Sequence, residues 1–147
     1  MVWTNHGDKS RAKRHHPIHL HGHSFHVLKV GFGEYNASSG LYKSPNKDIH
    51  CSTSYCNQPE WSNKSFGGDN IPGMRFDRPI QKDTLMVPTG AYAVIRFKTN
   101  NPGKWFLHCH IEYHSMQGRL PLFLNIFRIA KPYSRVFKKR TKGNKRT

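Results

Sequence analysis

A cysteine stands between two histidines at His108-Cys109-His110, and a further histidine, His114, follows four residues after the second. One soft thiolate and three imidazoles packed this closely suit copper more than zinc. A blue-copper site takes two imidazoles and one thiolate in a trigonal plane, with a weak axial group. Cys109 and His114 supply two of those three donors. His108 and His110 exceed what such a site needs, so they require a second metal. A companion segment, His16-Pro17-Ile18-His19-Leu20-His21-Gly22-His23, lies far upstream.

Strand periodicity decides which of these donors can meet. If the upstream segment is a strand, His19 and His21 share a face, because side chains alternate with period two. His16 is expected to precede the strand proper, held by Pro17, and to turn elsewhere. The same alternation puts Cys109 on one face of its strand and both His108 and His110 on the other. A metal held by Cys109 is then joined through the backbone to a site held by its two neighbours.

These two motifs, His-Pro-Ile-His-Leu-His-Gly-His-Ser-Phe and His-Cys-His-Ile-Glu-Tyr-His, resemble the third and fourth copper-binding signatures of the multicopper oxidases, the laccases above all. The segments at 81–90 and 101–106 are similar to the family's lead into the second motif, and the likeness runs from about residue 17 to 126. The resemblance implies that His16, Cys109 and His114 are ligands of the type 1 copper. It implies that His19 is a type 2 ligand, and that His21, His108 and His110 are type 3 ligands. It also implies a chemistry in the full-length enzyme. Phenols or aromatic amines are oxidised at the type 1 site, electrons pass through Cys109 to His108 and His110, and dioxygen is reduced to water.

The chain departs from that pattern in three places. With 147 residues it holds at most one domain, whereas the family resemblance implies three cupredoxin domains, the first of which supplies half of the trinuclear cluster. The chain is therefore expected to be a C-terminal piece whose opening strands are missing. Five residues after His114, where the family places Met, Leu or Phe beside the blue copper, stands Arg119. A permanently charged guanidinium beside a cupric ion in a low-dielectric pocket is unfavourable, so either copper binding is weakened or the side chain points to solvent. Pro121 removes a backbone donor soon afterwards, which fits a strand edge or a bulge. Beyond 130 the chain is basic with little to bury, and is expected to be a disordered tail.

The formal net charge is +16, from 24 Lys and Arg against 8 Asp and Glu. The cationic clusters sit at the two ends, outside the motif-bearing body, with no nucleic-acid-binding fingerprint beside them. They predict at most non-specific, salt-sensitive binding of polyanions. Of the three cysteines, Cys109 is assigned to metal, while Cys51 and Cys56 are close enough in sequence to pair. A disulfide and the two sequons at Asn36 and Asn63 together favour a secreted, extracellular glycoprotein. The first fifteen residues carry no signal-peptide apolar stretch, and no run is long enough for a membrane helix.

Strand-like runs at 24–30, 84–87, 91–97, 105–110 and 122–129 are divided by Pro-Thr-Gly and Asn-Asn-Pro-Gly turns. A long Gly-, Asn- and Ser-rich stretch occupies 31–81, and one helical turn is expected at 112–117. The predicted fold is an all-β Greek-key sandwich of cupredoxin type, incomplete, with about five strands, a long irregular loop and marginal stability alone. The predicted organisation is a basic lead-in at 1–15, a partial cupredoxin domain at 16–130 and a tail at 131–147. His15, His23, His26 and His50 are expected at the surface or beside the ligands, His6 carries no signal, and Glu112 is expected to orient a ligand histidine. Besides the oxidase domain, two readings remain open: a single-domain copper-binding or electron-carrier module, and an inert truncated product.

Overall fold

Short β-branched and aromatic runs between Gly, Pro and Asn turns make this an all-β chain. The computed structural model describes residues 1–6, 14–52, 56, 58–112 and 122–126, with twelve strands among them. One four-stranded sheet has the order β1 (Val2–Thr4), β10 (Tyr92–Phe97), β3 (Phe25–Gly31), β8 (Ile80–Lys82). The other has the order β12 (Leu122–Ile126), β11 (Gly103–Cys109), β2 (His16–Leu20), β9 (Thr84–Val87). All pairings are antiparallel, and the chain crosses between the sheets at β1 to β2, β2 to β3, β8 to β9, β9 to β10 and β10 to β11. We call them the first and second sheets.

The sandwich interior is filled by the inward parity of every central strand. Ile18, Leu20, Phe25, Val87, Ala93, Ile95, Leu107 and Cys109 are buried together, with Trp3 closing one side. Trp3 packs edge-on against Phe25, ring centroids 5.1 Å apart. This corrects the expectation of a lead-in over 1–15: Val2–Thr4 is an edge strand paired with β10. Three residues are too few to show a period, so only burial reveals the strand.

The stretch at 31–81 is also more ordered than its composition suggests. It carries two hairpins, β4 (Glu34–Tyr35) with β5 (Tyr42–Ser44), and β6 (Ile49–Cys51) with β7 (Pro59–Trp61). Ile49 and Ile71 bury a second apolar cluster with Leu28, Tyr92 and Val94 on the outer face of the first sheet. Strand β10 is thereby covered on both faces, which is why four successive residues from Tyr92 are buried. A bulge at Val94/Ile95 against β3 places both Leu28 and Lys29 on the outer face, while Phe25 and Val27 stay inward. Asp48 fastens the covering segment: it accepts a hydrogen bond from the Tyr92 hydroxyl at 2.5 Å and pairs with Lys29 at 3.3 Å.

The predicted helical turn, apart from Glu112, lies outside the described residues, as do His114, Arg119, Pro121 and the basic tail. No helix among the described residues is long and apolar enough to cross a membrane.

Candidate metal centre

Strands β2 and β11 lie side by side, with His19 opposite His108 and Ile18 opposite Cys109. That register settles every facing relation in the site. Residues 16, 18 and 20 share the inward parity with Leu107 and Cys109, and residues 17 and 19 share the outward parity with His108. His16 is therefore not ahead of the strand, as expected, but is its first residue. Alternation alone turns it toward Cys109, and Pro17 has no such role.

On the inward side His16 presents Nδ1 to Cys109 Sγ at 3.4 Å. The thiol is 1% exposed and lies among Ile18, Leu107 and Leu20. Two donors on one first-row cation, at bond lengths of about 2.0 Å to nitrogen and 2.3 Å to sulfur, stand roughly 3.5 Å apart. The pair fits one shared cation, and a thiolate with an imidazole is a soft donor set of the kind copper takes.

On the outward side four imidazoles gather. Ring centroids of His19 lie 4.6 Å from His21, 5.7 Å from His108 and 5.5 Å from His110. His108 and His110 are 5.3 Å apart. His21 sits just past the end of β2, where its N–H donates to the Phe106 carbonyl at 2.9 Å and continues the ladder. His110 is held the same way beyond β11, by a 2.7 Å bond from its N–H to Pro17. Phe106 stacks on His108 at 4.5 Å and sets that ring's plane.

Two of these rings have their tautomer dictated by a carbonyl, which can only accept. His19 Nδ1 lies 3.0 Å from the Asp83 carbonyl and 2.8 Å from Thr84 Oγ1, and His108 Nδ1 lies 3.0 Å from the Cys109 carbonyl. Each ring thus carries its proton on Nδ1 and leaves the Nε2 lone pair for a metal, the usual way a ligand histidine is oriented. His108 Nε2 faces His21 Nε2 at 3.0 Å, again the separation of two donors on one cation. Desolvation, and then the fields of His19, His108 and His110, hold the His21 imidazole below its ordinary pKa, which keeps its lone pair available near neutrality.

The turn between β2 and β3 is built for this cluster. Gly22 has φ +70°, and a side-chain carbon there would lie 2.3 Å from the Trp105 ring. Asn101 Nδ2 donates to the Gly22 carbonyl at 3.0 Å, and Trp105 Nε1 donates to the Asn101 carbonyl at 2.8 Å. His23 is buried between Phe97 and Trp105, at centroid distances of 5.4 and 5.7 Å. It packs behind the site, while His50 and Glu112 are exposed. Of the seven expected ligands, six are described, and the structure sorts them as His16 with Cys109 inward and His19, His21, His108 and His110 outward. His114 lies outside the described residues.

Sequence reasoning missed His6, whose Nδ1 lies 3.5 Å from Cys51 Sγ. The signal that could have drawn attention to the region was the Cys51–Cys56 pair, which is disulfide-bonded as expected.

A family model described as multicopper oxidase matches residues 1–125. Laccase-3 of Botryotinia fuckeliana is 33% identical over 103 residues, which is 70% of this chain and 16% of that protein. Laccase-7 of Oryza sativa subsp. japonica is 37% identical over 103 residues, 70% of this chain and 13% of that one. The iron transport multicopper oxidase fio1 of Schizosaccharomyces pombe is 36% identical over 109 residues, 74% and 13% respectively. The crystal structure of Fet3p, a multicopper oxidase that functions in iron import, superposes with a TM-score of 0.53 at 31% identity. That match covers 84% of this chain and 18% of that one. The sandwich is accordingly of cupredoxin type, and the chain spans less than a fifth of the relatives it matches.

Proposed function

We propose, because the chain belongs to the multicopper oxidase family, that it serves as the copper-binding C-terminal cupredoxin domain of a secreted, laccase-like oxidase. One observation carries the reading. A thiol and an imidazole meet inside the sandwich at 3.4 Å, while four imidazoles meet on the other face of the same two strands.

His16, Cys109 and His114 supply the nitrogen and sulfur donors of the type 1 site. His19 serves the type 2 site, and His21, His108 and His110 serve the type 3 pair. Copper, when bound, supplies the one-electron oxidation of a phenol or aromatic amine and the four-electron reduction of dioxygen to water. The residues do the rest. The apolar shell of Ile18, Leu20 and Leu107 keeps water from Cys109 and tunes the site's potential. Cys109 is one peptide bond from both His108 and His110, so the inward and outward donors share a covalent path across β11. Asp83, Thr84 and the Cys109 carbonyl hold His19 and His108 in the tautomer that ligates. The four outward imidazoles form part of a three-metal ligand set, and the remaining ligands come from elsewhere in the full-length enzyme. The Cys51–Cys56 disulfide supports an oxidising, extracellular setting, and the basic ends bind polyanions only non-specifically.

His16 and Cys109 meet within this chain alone. That favours, as a second reading, a single-domain copper-binding or electron-carrier module. Cupric ion added to the purified chain separates the two. An intense visible thiolate-to-copper band that is lost in Cys109→Ser is expected in both. Colour without phenol oxidation supports a carrier in isolation, with oxidation restored only by the other oxidase domains if the first reading holds. Absence of the band overturns copper at Cys109, and oxygen uptake by the chain alone overturns the division of the ligand set.

A further inference from the structure

We propose that His6, Cys51 and Cys56 form a second metal site, separate from the Cys109 centre, that opens when the Cys51–Cys56 disulfide is reduced and then holds a thiophilic d10 cation, Cu(I) or Zn(II). The cluster stands on the other side of the first sheet from Cys109. Cys51 ends β6 and packs on the outer cluster of Leu28, Ile49, Ile71, Tyr92 and Val94. His6 is brought there by its neighbour. Asn5 is clamped at the turn before β10, its N–H donating to the Ala91 carbonyl at 2.8 Å and its carbonyl accepting from Gly90 at 2.7 Å.

Two observations point to a cation. The ligand atoms of His6, Cys51 and Cys56 all lie within 4.8 Å of one another. His6 Nδ1 is 3.5 Å from Cys51 Sγ, the separation of about 3.5 Å that an imidazole and a thiolate adopt on one tetrahedral ion. Two thiolates with an imidazole are the soft donor set that selects Cu(I) and Zn(II).

The redox step balances with a thiol reductant. Two thiols of the reductant become a disulfide, and Cys51 and Cys56 take up the two electrons and two protons released. Cys56 Sγ then swings from bonding distance to about 3.7 Å from Cys51 Sγ, and the cation displaces the thiol protons to solvent. Reoxidation by disulfide exchange closes the bridge and expels the ion.

Co(II), with Zn(II) as competitor, tests this on the full chain under anaerobic conditions, comparing the disulfide form with a phosphine-reduced form cleared of reductant. The reduced form is expected to gain one equivalent of thiolate-to-cobalt charge-transfer absorption beyond the disulfide form, bleached by Zn(II). His6→Gln should weaken that increment at least tenfold, and Cys51→Ser should remove it. Thermal unfolding of the disulfide form of His6→Gln checks that the variant folds. If it does not, His6→Cys replaces one donor with another and should keep the increment. No increment on reduction, equal affinity in His6→Gln, or loss in a folded His6→Cys overturns the proposal. The readout is a difference from the disulfide form, so it does not depend on whether Cys109 binds metal.

Discussion

At the scale of single residues, the site is a problem of aiming lone pairs. A neutral histidine ligates through whichever nitrogen lacks the proton, and here backbone carbonyls of Asp83 and Cys109 hold that proton on Nδ1 of His19 and His108. Neither carbonyl could have been singled out from residue types, because every residue has one. The proposed type 1 site has a different residue-scale question in Arg119. It lies outside the described residues, and its fixed charge alone carries the expectation. A guanidinium near a cupric ion opposes binding. Arg119→Met should therefore raise copper affinity by about tenfold, worth about 1.4 kcal/mol, measured by competition with a chromophoric chelator. An unchanged affinity would mean that the charge is turned to solvent.

Elements decide the geometry that residues only permit. The pairing of β2 with β11 brings motifs far apart in sequence into one register, and a slip of one residue would send His16 outward and His19 into the core. The His21-Gly22 turn is the weak point of that arrangement, since Gly22 adopts a left-handed φ directly under Trp105. Gly22→Ala adds both backbone strain and a clash, expected to cost roughly 2–4 kcal/mol. Denaturant unfolding should show the loss, and the Trp105 fluorescence of the folded state should change because the ring must move. Native-like stability in this variant would show that the turn relaxes without cost. The strands at 84–87, 91–97 and 105–110 were legible because runs of four or more largely β-forming residues lie between Gly- and Pro-marked turns. Val2–Thr4 and Ile80–Lys82, with three residues each, were not.

Over the whole molecule, the two sheets are treated unequally. The outer face of the first sheet is covered by the 31–81 segment, whereas the outer face of the second presents His21, His110 and Met86 to solvent. The covering depends on the Asp48 clamp, which makes stability pH-dependent at the alkaline end. Burial, then the hydrogen bond to and charge of Asp48, raise the Tyr92 hydroxyl above its ordinary pKa. Its stabilising contribution is thus complete below about pH 10 and is lost as pH rises through the folded value, by at most about 1.4 kcal/mol per pH unit. Tyr92→Phe removes a bond to a charged acceptor, costing about 1.5–3 kcal/mol at neutral pH. It should also flatten the decline above pH 10. Urea midpoints at pH 8 and pH 11 measure both, and an identical alkaline slope in the variant would remove Tyr92 from the account.

The sequence by itself determined the donor chemistry and the parity rule that separates Cys109 from His108 and His110, because composition and a period of two are local properties. It also identified the central strands and the cysteine pair. The nearness of His16 to Cys109, the capture of Trp3 by the core, the cover over the first sheet and the approach of His6 to Cys51 were decided by the tertiary structure. Each depends on residues brought together from distant parts of the chain, where register and packing between sheets, rather than any local pattern, choose the neighbour.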